Sequence, residues 1–442
     1  MKLTMEREFS YWDKEAETMS RDTIEAFQLA ALKKQVANAF KTSFYKERLT
    51  KAGITGPDDI KTLADLRKIP FTTKYDLREV YPYGLLAVPF DQVVRIHASS
   101  GTTGTPTVIY MTAKDVDMAA DTMARGLAGA GCTNKDTCQN MMTYGLFTGG
   151  MNFHYGAEKV GMTVIPTSSG NTLRQIKFMH DFGTSVTHAT PSYMLHLNQA
   201  IKESEYKREE FKWRIGISGA EPYSEELRNK MEKELGIEVY NCYGMSELNG
   251  PGVAFECQLR KGMHVWEDRY IMEIINPETL EPVEDGEEGE LVMTILCRDA
   301  MPLLRYRTRD LTHVIPEPCP CGRTHRRIAR FTGRTDDMLI INGVNVFPSQ
   351  IEEVLLKEKG VGANYLIVVE KKGDMDKLTV QVEVTPELFA DDARVMNALR
   401  DKLREEMSAL ITIKPIIELK EPGSIPQAET KAKRVNDLRP KA

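Results

Sequence analysis

The sequence predicts an α/β protein: a large N-terminal domain of parallel βαβ units with a β subdomain attached, followed by a small α+β domain. Three observations predict it. Between residues 108 and 250, short β-rich apolar runs alternate with amphipathic helical ones, the pattern of parallel βαβ units. From 263 to 315 the reading changes to strands and turns, with an acidic turn at 284–289. After Gly333-Arg334-Thr335-Asp336-Asp337 the pattern restarts with strands and helices of its own.

Each element follows in order. Residues 1 to about 90 read as a helical lead-in, amphipathic from Asp22 to Phe40 and interrupted by Pro70 and Pro82. Strand-like 93–96 and 108–111 flank a glycine- and hydroxyl-rich loop. The run 162–165 precedes a helix over 173–179, and 213–217 precedes a helix over 224–235. Strands at 270–275 and 290–295 build the β subdomain. The last stretch reads as strand 338–341, an Asn342-Gly343 turn, helix 348–357, strands 364–370 and 377–384, helix 391–408 and strand 414–419. These roughly 105 residues are enough to fold alone. The expected domains are therefore 1–335 and 336–442.

Composition narrows the function. The chain has 442 residues, 41% hydrophobic and 28% charged, which is ordinary globular material with room for a large core. Its net charge of −6 gives no basic field to attract nucleic acid or an anionic membrane. The N-terminus lacks the apolar stretch of a signal peptide, and no segment approaches the ~18 uninterrupted apolar residues of a membrane span. Seven cysteines spread over this length fit free thiols or metal ligands in a reducing compartment. The expectation is a cytoplasmic protein.

The loop Ser99-Ser100-Gly101-Thr102-Thr103-Gly104-Thr105-Pro106-Thr107 reads as a phosphate cradle. Its glycines let backbone N–H groups approach an anion, and its hydroxyls add donors. It is not a Walker A loop, because only two residues separate Gly101 from Gly104 and no Lys-Ser/Thr follows. A second signal is Ser218-Gly219-Ala220-Glu221-Pro222, and a third is Asn241-Cys242-Tyr243-Gly244-Met245-Ser246-Glu247, each read at the end of a strand. In open α/β sheets ligands bind there: Gly219 admits a base edge against backbone, Tyr243 packs the base and Glu247 holds a divalent cation. Taken singly, these are also a turn, a core tyrosine and a solvated glutamate. In Arg305-Tyr306-Arg307-Thr308-Arg309-Asp310 an acid suited to ribose hydroxyls follows a basic run that reads equally as a surface ion-pair ladder.

The order of these segments carries a resemblance. SSGTTGTPT at 99–107, YGLFTGG at 144–150, HYGAEKVG at 154–161, SGAEP at 218–222 and YGMSE at 243–247 are followed by RYRTRDL at 305–311. FTGRTDDMLIINGVNVFPSQIEE at 331–353 and GSIPQAETKAKRV at 423–435 complete the set. Over nearly its whole length the chain resembles the phenylacetate-CoA ligase family of adenylate-forming enzymes. The resemblance implies ATP, Mg²⁺ and CoA as cofactors and an aryl carboxylate as substrate. Phenylacetate is the default acid, with indoleacetate, hydroxyphenylacetate and benzoates as rivals. A carrier-protein thiol in place of CoA, and a non-catalytic nucleotide- or acyl-binding protein, are the alternative readings.

Carried over by position, the loop 99–107 holds the β- and γ-phosphates, 218–222 and 241–246 line the adenine site, and Glu247 helps hold Mg²⁺. Asp310 matches the ribose-binding aspartate and Arg334 the arginine beside it. Asp336 matches the hinge of a mobile C-terminal domain, and Lys431 the lysine that bridges the substrate carboxylate and the α-phosphate. Thr430 stands where the family usually has glycine. The acyl pocket falls on Tyr144, Phe147, Gly149 and Gly150, with Phe147 alternatively a core residue. Met151, Asn152 and Phe153 follow where many relatives carry small residues. A homodimer is the family's expectation.

A separate constellation is Cys257, His264, Cys319 and Cys321. Cys319-Pro320-Cys321-Gly322 is a tight turn offering two thiolates, and Cys257 with His264 could complete a tetrahedral structural zinc site. His325 is an alternative fourth ligand.

Overall fold

Helix starts in the lead-in are set by short polar side chains, as local chemistry requires. In the computed structural model Ser20 caps α2 (Arg21–Ala39) and Thr42 caps α3 (Ser43–Lys51), after the single-turn α1 (Lys14–Glu17). Thr73 and Asp76 form a reciprocal capping box at α4 (Lys74–Glu79). The structure describes residues 9–99, 106–221, 223–335, 339–341, 344–346, 348–372, 375–389, 393–411, 413–425 and 434–439. The chain divides into two compact units, one of Met1–Thr190, Leu197–Ala220 and Gly236–Arg330, the other of Pro191–His196, Glu221–Leu235 and Phe331–Ala442.

In the first unit β1 (Val93–Ser99) and β2 (Thr107–Thr112) form an antiparallel hairpin with Ser99 opposite Thr107. The glycine-rich loop therefore joins two paired strands. Next comes α5 (Ala113–Gly129), buried over most of its length. A Cβ at Gly126 would sit 2.1 Å from the Phe255 ring, so only glycine lets the helix approach this closely. Then β3 (Thr137–Asn140), α6 (Thr148–Val160), β4 (Thr163–Ile165) and α7 (Thr172–Asp181) alternate. β5 (Val186–Ala189), α8 (Pro191–Glu203), β6 (Ile215–Ser218), α9 (Glu225–Leu235) and β7 (Glu238–Met245) continue the series along the chain, although α9 and the first residues of α8, Pro191–His196, belong to the second unit.

Strands β4-β3-β5-β6-β7 lie side by side, all parallel, and β5 and β6 are buried along their whole length. Continuous apolar runs such as Ile215–Ser218 are what a sheet covered on both faces demands. Beyond β7 the sheet turns antiparallel through β8 (Gly250–Glu256) and β9 (Met263–Val265). The third motif sits at the end of a strand, as read from the sequence: Asn241 to Met245 are the last residues of β7, which continues past its parallel pairing with β6 to pair antiparallel with β8. Gly244 makes this continuation fit, since a Cβ there would stand 1.9 Å from the Gly250 carbonyl oxygen.

A separate antiparallel sheet holds β10 (Tyr270–Ile275), β11 (Gly289–Ile295) and β12 (Tyr306–Thr312), the anticipated β subdomain. The short β13 (Val314–Ile315) and β14 (Arg327–Ile328) return to the edge of the large sheet, β14 pairing with β9.

The second unit contains β15 (Gly333–Arg334), the hairpin β16 (Leu339–Ile341) and β17 (Val344–Val346), and α10 (Pro348–Lys357). β18 (Val361–Lys372), β19 (Met375–Val384), α11 (Pro386–Phe389), α12 (Ala393–Ile411), β20 (Ile416–Lys420) and β21 (Val435–Asp437) follow. Its sheet runs β20-β19-β18-β21, and Ile351, Leu355, Leu403 and Met407 pack with Ile367, Val369, Val380 and Val382 in one core. Helix 348–357 appears with the bounds read from the sequence. The three-residue β21 was not anticipated, because its residues follow a basic run with no strand-like alternation. No described helix is long and apolar enough to cross a membrane.

Candidate functional site

β6 and β7 put two of the three loop motifs side by side: Ser218 is paired with Asn241. Ser218 is fully buried, and its Oγ has no hydrogen-bond partner among the described residues. Behind it the backbone passes close to β7, where a Cβ at Gly219 would fall 2.6 Å from the Cys242 carbonyl oxygen. Ala220 takes a left-handed φ of 66°, turning the chain sharply off the strand. Cys242 is buried, and burial pushes its thiol up to about 12, so it acts as packing rather than as a nucleophile.

Tyr243 reaches across to the β subdomain and donates its hydroxyl to Asp310 Oδ2 at 2.7 Å. The basic run before Asp310 does form an ion-pair ladder: Arg305 meets Glu273 at 2.9 Å and Arg307 meets Glu290 at 2.7 Å. Asp310 departs from it and turns to the tyrosine.

Glu247 is not a solvated glutamate. It is 2% exposed, and its Oε1 accepts no hydrogen bond from any described residue. The nearest countercharge is the Lys74 ammonium, 3.3 Å away. The Glu247 carbonyl is held by buried Arg298, which donates through Nη2 at 2.7 Å and through Nε to Asn249 Oδ1 at 2.7 Å. Ser246 Oγ lies 3.1 Å from Thr148 Oγ1, tying this turn to the first residue of α6.

The segment 144–150 is drawn to the same place. The Leu146 carbonyl accepts from Ala98 N at 2.9 Å and from His97 Nδ1 at 3.1 Å, which binds it to the strand entering the glycine-rich loop. Phe147 is 45% exposed and caps α6, so it is not a core residue. A Cβ on Gly149 would meet nothing within 4 Å, whereas one on Gly150 would strike the Thr143 carbonyl oxygen at 2.6 Å. The Tyr144 hydroxyl accepts from Asn140 Nδ2 at 2.7 Å and lies 3.1 Å from His154 Nδ1. Burial pushes it up to about 12, keeping it a neutral phenol. Beneath it Asn140 Oδ1 accepts from His188 Nδ1 at 3.0 Å, and His188, stacked on Phe153, is held neutral by burial, down to about 3.

Thus Ser218, Gly219, Ala220, Asn241 to Glu247, Asp310 and the 144–150 segment meet within the first unit. Glu221 and Arg334 belong to the second unit, where Glu221 Oε1 accepts from Ser192 Oγ at 2.9 Å. Ser100 to Thr105, Pro222, Asp336 and Lys431 lie outside the described residues, and of Ser99 only the backbone is described.

Residues 49–294 match the AMP-binding enzyme family model, and 343–439 match the AMP-binding enzyme C-terminal domain. The chain is 45% identical to a phenylacetate-coenzyme A ligase of Aromatoleum evansii, over 96% of this chain and 97% of that one. The chain belongs to the phenylacetate-CoA ligase family. A phenylacetate-coenzyme A ligase of Escherichia coli K12 is 43% identical, again over 96% and 97% of the two chains. Among solved structures, 2-hydroxyisobutyryl-CoA ligase in its postadenylation state matches with a TM-score of 0.90 at 27% identity, covering 97% of this chain and 92% of that one. The family's acid–thiol ligases are of the AMP-forming type, and the fold of this chain is theirs.

Two residues that contact Glu247 escaped the sequence reading. Lys74 and Arg298 lie outside every motif read from the chain, and nothing in their local sequence distinguishes them from surface cations; only the fold brings them to Glu247. The cysteine cluster does assemble, away from these groups, from the residue after β8, from β9 and from the 319–321 turn: ligand atoms of Cys257, His264, Cys319 and Cys321 all lie within 4.8 Å of one another, and all four residues are buried. His325 is excluded as a ligand. Its Nδ1 accepts from Glu267 N at 2.8 Å and its Nε2 donates to the Ala16 carbonyl at 2.9 Å, using both ring nitrogens.

Proposed function

We propose that this chain activates phenylacetate with ATP and Mg²⁺ to phenylacetyl-adenylate and pyrophosphate, then transfers the acyl group to CoA with release of AMP. The observation that carries the reading is the 43–45% identity over 96% of the chain to four phenylacetate-coenzyme A ligases. A carboxylate is a poor acyl donor. Its oxygen attacks the α-phosphorus, pyrophosphate leaves, and the resulting mixed anhydride carries AMP as a good leaving group for thiol attack. No protein nucleophile is required, which agrees with a buried, unreactive Cys242.

The chain's own groups then act by position and charge. Asp310, with one oxygen fixed by Tyr243, is placed to accept from ribose hydroxyls. The Ser218–Ala220 and Asn241–Tyr243 backbone forms the adenine wall, and Gly219, lacking a side chain, lets β6 and β7 close up behind it. Glu247 fits a Mg²⁺ site, because a buried carboxylate oxygen that accepts no hydrogen bond from any described residue is a ready hard-cation ligand. When bound, the ion neutralises phosphate charge. Lys74, beside Glu247, adds a second positive charge facing the same phosphates. The 144–150 segment, with Phe147 and the open face of Gly149, walls the aryl ring.

In this reading 1–335 is the adenylation domain and 336–442 a mobile domain turning about Asp336, with Arg334 reaching the nucleotide and Lys431 the reacting phosphate. The enzyme works in the cytoplasm as a homodimer. Zinc takes no part in the chemistry, since four protein ligands leave no open position.

Incubation with Mg-ATP, CoA and a panel of arylacetic, benzoic and aliphatic acids tests the reading. AMP, not ADP, and phenylacetyl-CoA are the expected products by mass spectrometry. A different thioester reassigns the acid, AMP without thioester points to a carrier-protein thiol, and no nucleotide turnover with any acid overturns the assignment. Within the same assay, Tyr243→Phe is expected to raise the KM for ATP about fivefold to tenfold while kcat changes little, the worth of one ordinary hydrogen bond. An unchanged KM removes Tyr243 from ribose binding.

A further inference from the structure

Away from the ligase chemistry, the cysteine cluster has the dimensions of one metal ion. For Zn–S bonds of about 2.3 Å in a tetrahedron, two thiolate sulfurs stand about 3.8 Å apart, and a sulfur and an imidazole nitrogen about 3.6 Å apart. Cys257 Sγ and Cys319 Sγ are separated by 3.8 Å, and Cys321 Sγ and His264 Nε2 by 3.4 Å. A disulfide would need sulfurs about 2.0 Å apart, so these thiols are spaced for a shared ligand, not for each other. The orientation of the imidazole agrees. His264 Nδ1 lies 3.0 Å from the His325 carbonyl oxygen, which can only accept, so the proton sits on Nδ1 and the Nε2 lone pair faces the sulfurs. Holding a ligating histidine through its other nitrogen is how protein metal sites fix the tautomer. The topology explains the meeting: β9 carries His264 between β8, which leads into Cys257, and β14, which follows the 319–321 turn.

The turn is also the dock for the start of the described chain. Tyr11 donates its hydroxyl to the Cys321 carbonyl, and its ring lies 4.6 Å from the Arg323 guanidinium. Arg323 donates to Glu17 Oε2 at 2.6 Å and to the Ser10 carbonyl. Thr324 N donates to the Glu17 carbonyl at 3.1 Å, His325 Nε2 to Ala16, and Phe9 packs against the three cysteines. Residues 9–17 thus hang chiefly on the loop that carries two of the four ligands, with Trp12 Nε1 donating to Asp121 Oδ1 on α5 at 2.9 Å as a separate tie.

We propose that Cys257, His264, Cys319 and Cys321 bind one Zn²⁺, and that this ion is a clamp that sets the 319–325 loop and thereby docks residues 9–17. Tetrahedral S₃N coordination closes the ion's sphere, so its role is structural. The inference does not depend on which acid the enzyme activates.

Metal analysis of the full-length protein, purified without a metal-affinity tag after growth in zinc-supplemented medium, is the first test. About one zinc per chain is expected, surviving dialysis against a weak chelator. Protein grown with cobalt should show the thiolate charge-transfer bands of a tetrahedral site. His264→Cys, which keeps four soft ligands, is expected to retain the metal, and Cys319→Ser to lose it. Hydrogen exchange then reads the clamp: peptides from residues 9–17 should exchange about tenfold faster in Cys319→Ser, or in wild type stripped with a strong chelator should Cys319→Ser not fold. Wild-type protein with only trace zinc, or with iron instead, overturns the site. Unchanged exchange at 9–17 after metal loss overturns the clamp.

Discussion

Glu247→Gln is expected to lower the rate of adenylate formation at fixed Mg²⁺ by about 100-fold or more, with partial recovery as Mg²⁺ is raised. Glutamine keeps the volume and shape of the side chain, so the 3₁₀ turn at 246–248, held from behind by Arg298, stays in place. What disappears is the charge. In the native site a 2% exposed carboxylate has, among the described residues, an oxygen with no hydrogen bond, and the Lys74 ammonium stands 3.3 Å from that oxygen, so its negative charge is only partly met. A neutral amide has none, and it leaves Lys74 without its counterion. The check is pyrophosphate release from Mg-ATP and acid without CoA, measured across a Mg²⁺ titration. A Mg²⁺ dependence identical to wild type would move the metal to other ligands.

How far the sequence revealed this site depends on how local each contact is. Ser218–Ala220 and Asn241–Glu247 were legible because glycines and polar residues beside buried strands leave a visible trace in the chain. The Tyr243–Asp310 pair was readable only as two separate candidates; their 2.7 Å bond is made by the fold. Asp310 was also masked by its neighbours, since Arg305 and Arg307 do what a basic run ordinarily does and pair with Glu273 and Glu290. Lys74 left no signal, because an isolated lysine after a capping threonine reads as a helix start, which it also is. For the cysteine–histidine cluster the spacing gave all four residues, and the hydrogen bonds that occupy both His325 nitrogens remove the alternative ligand. Burial decided the rest: the same glutamate is a solvated surface group or a cation ligand according to what covers it, and no run of five residues states what covers it.

Lys431→Ala should separate the two half-reactions. Adenylate formation brings a carboxylate against a triphosphate, and the barrier rises from crowding like charges and from charge growing on the equatorial oxygens of the α-phosphate. An ammonium placed between the two anions opposes both terms. Its loss is expected to slow pyrophosphate release by about 10²–10³-fold, the range seen when one preorganised charge donor is removed from a developing anion. The second half-reaction poses a different problem, since a thiol attacks a neutral carbonyl carbon and charge grows on the carbonyl oxygen and on the departing phosphate oxygen of AMP, not on the equatorial oxygens of a phosphorus under attack. Supplied with synthetic phenylacetyl-adenylate and CoA, Lys431→Ala should therefore make phenylacetyl-CoA within about threefold of the wild-type rate. Arginine is not a fair substitute, because its planar fork spreads the charge that a compact ammonium concentrates; Lys431→Arg should stay defective in the first half-reaction. Equal loss in both assays would mean that Lys431 supports the fold of its domain instead of the reacting phosphate, and full activity in both would place the bridging charge elsewhere, with Lys74 the first residue to test because it already stands 3.3 Å from Glu247.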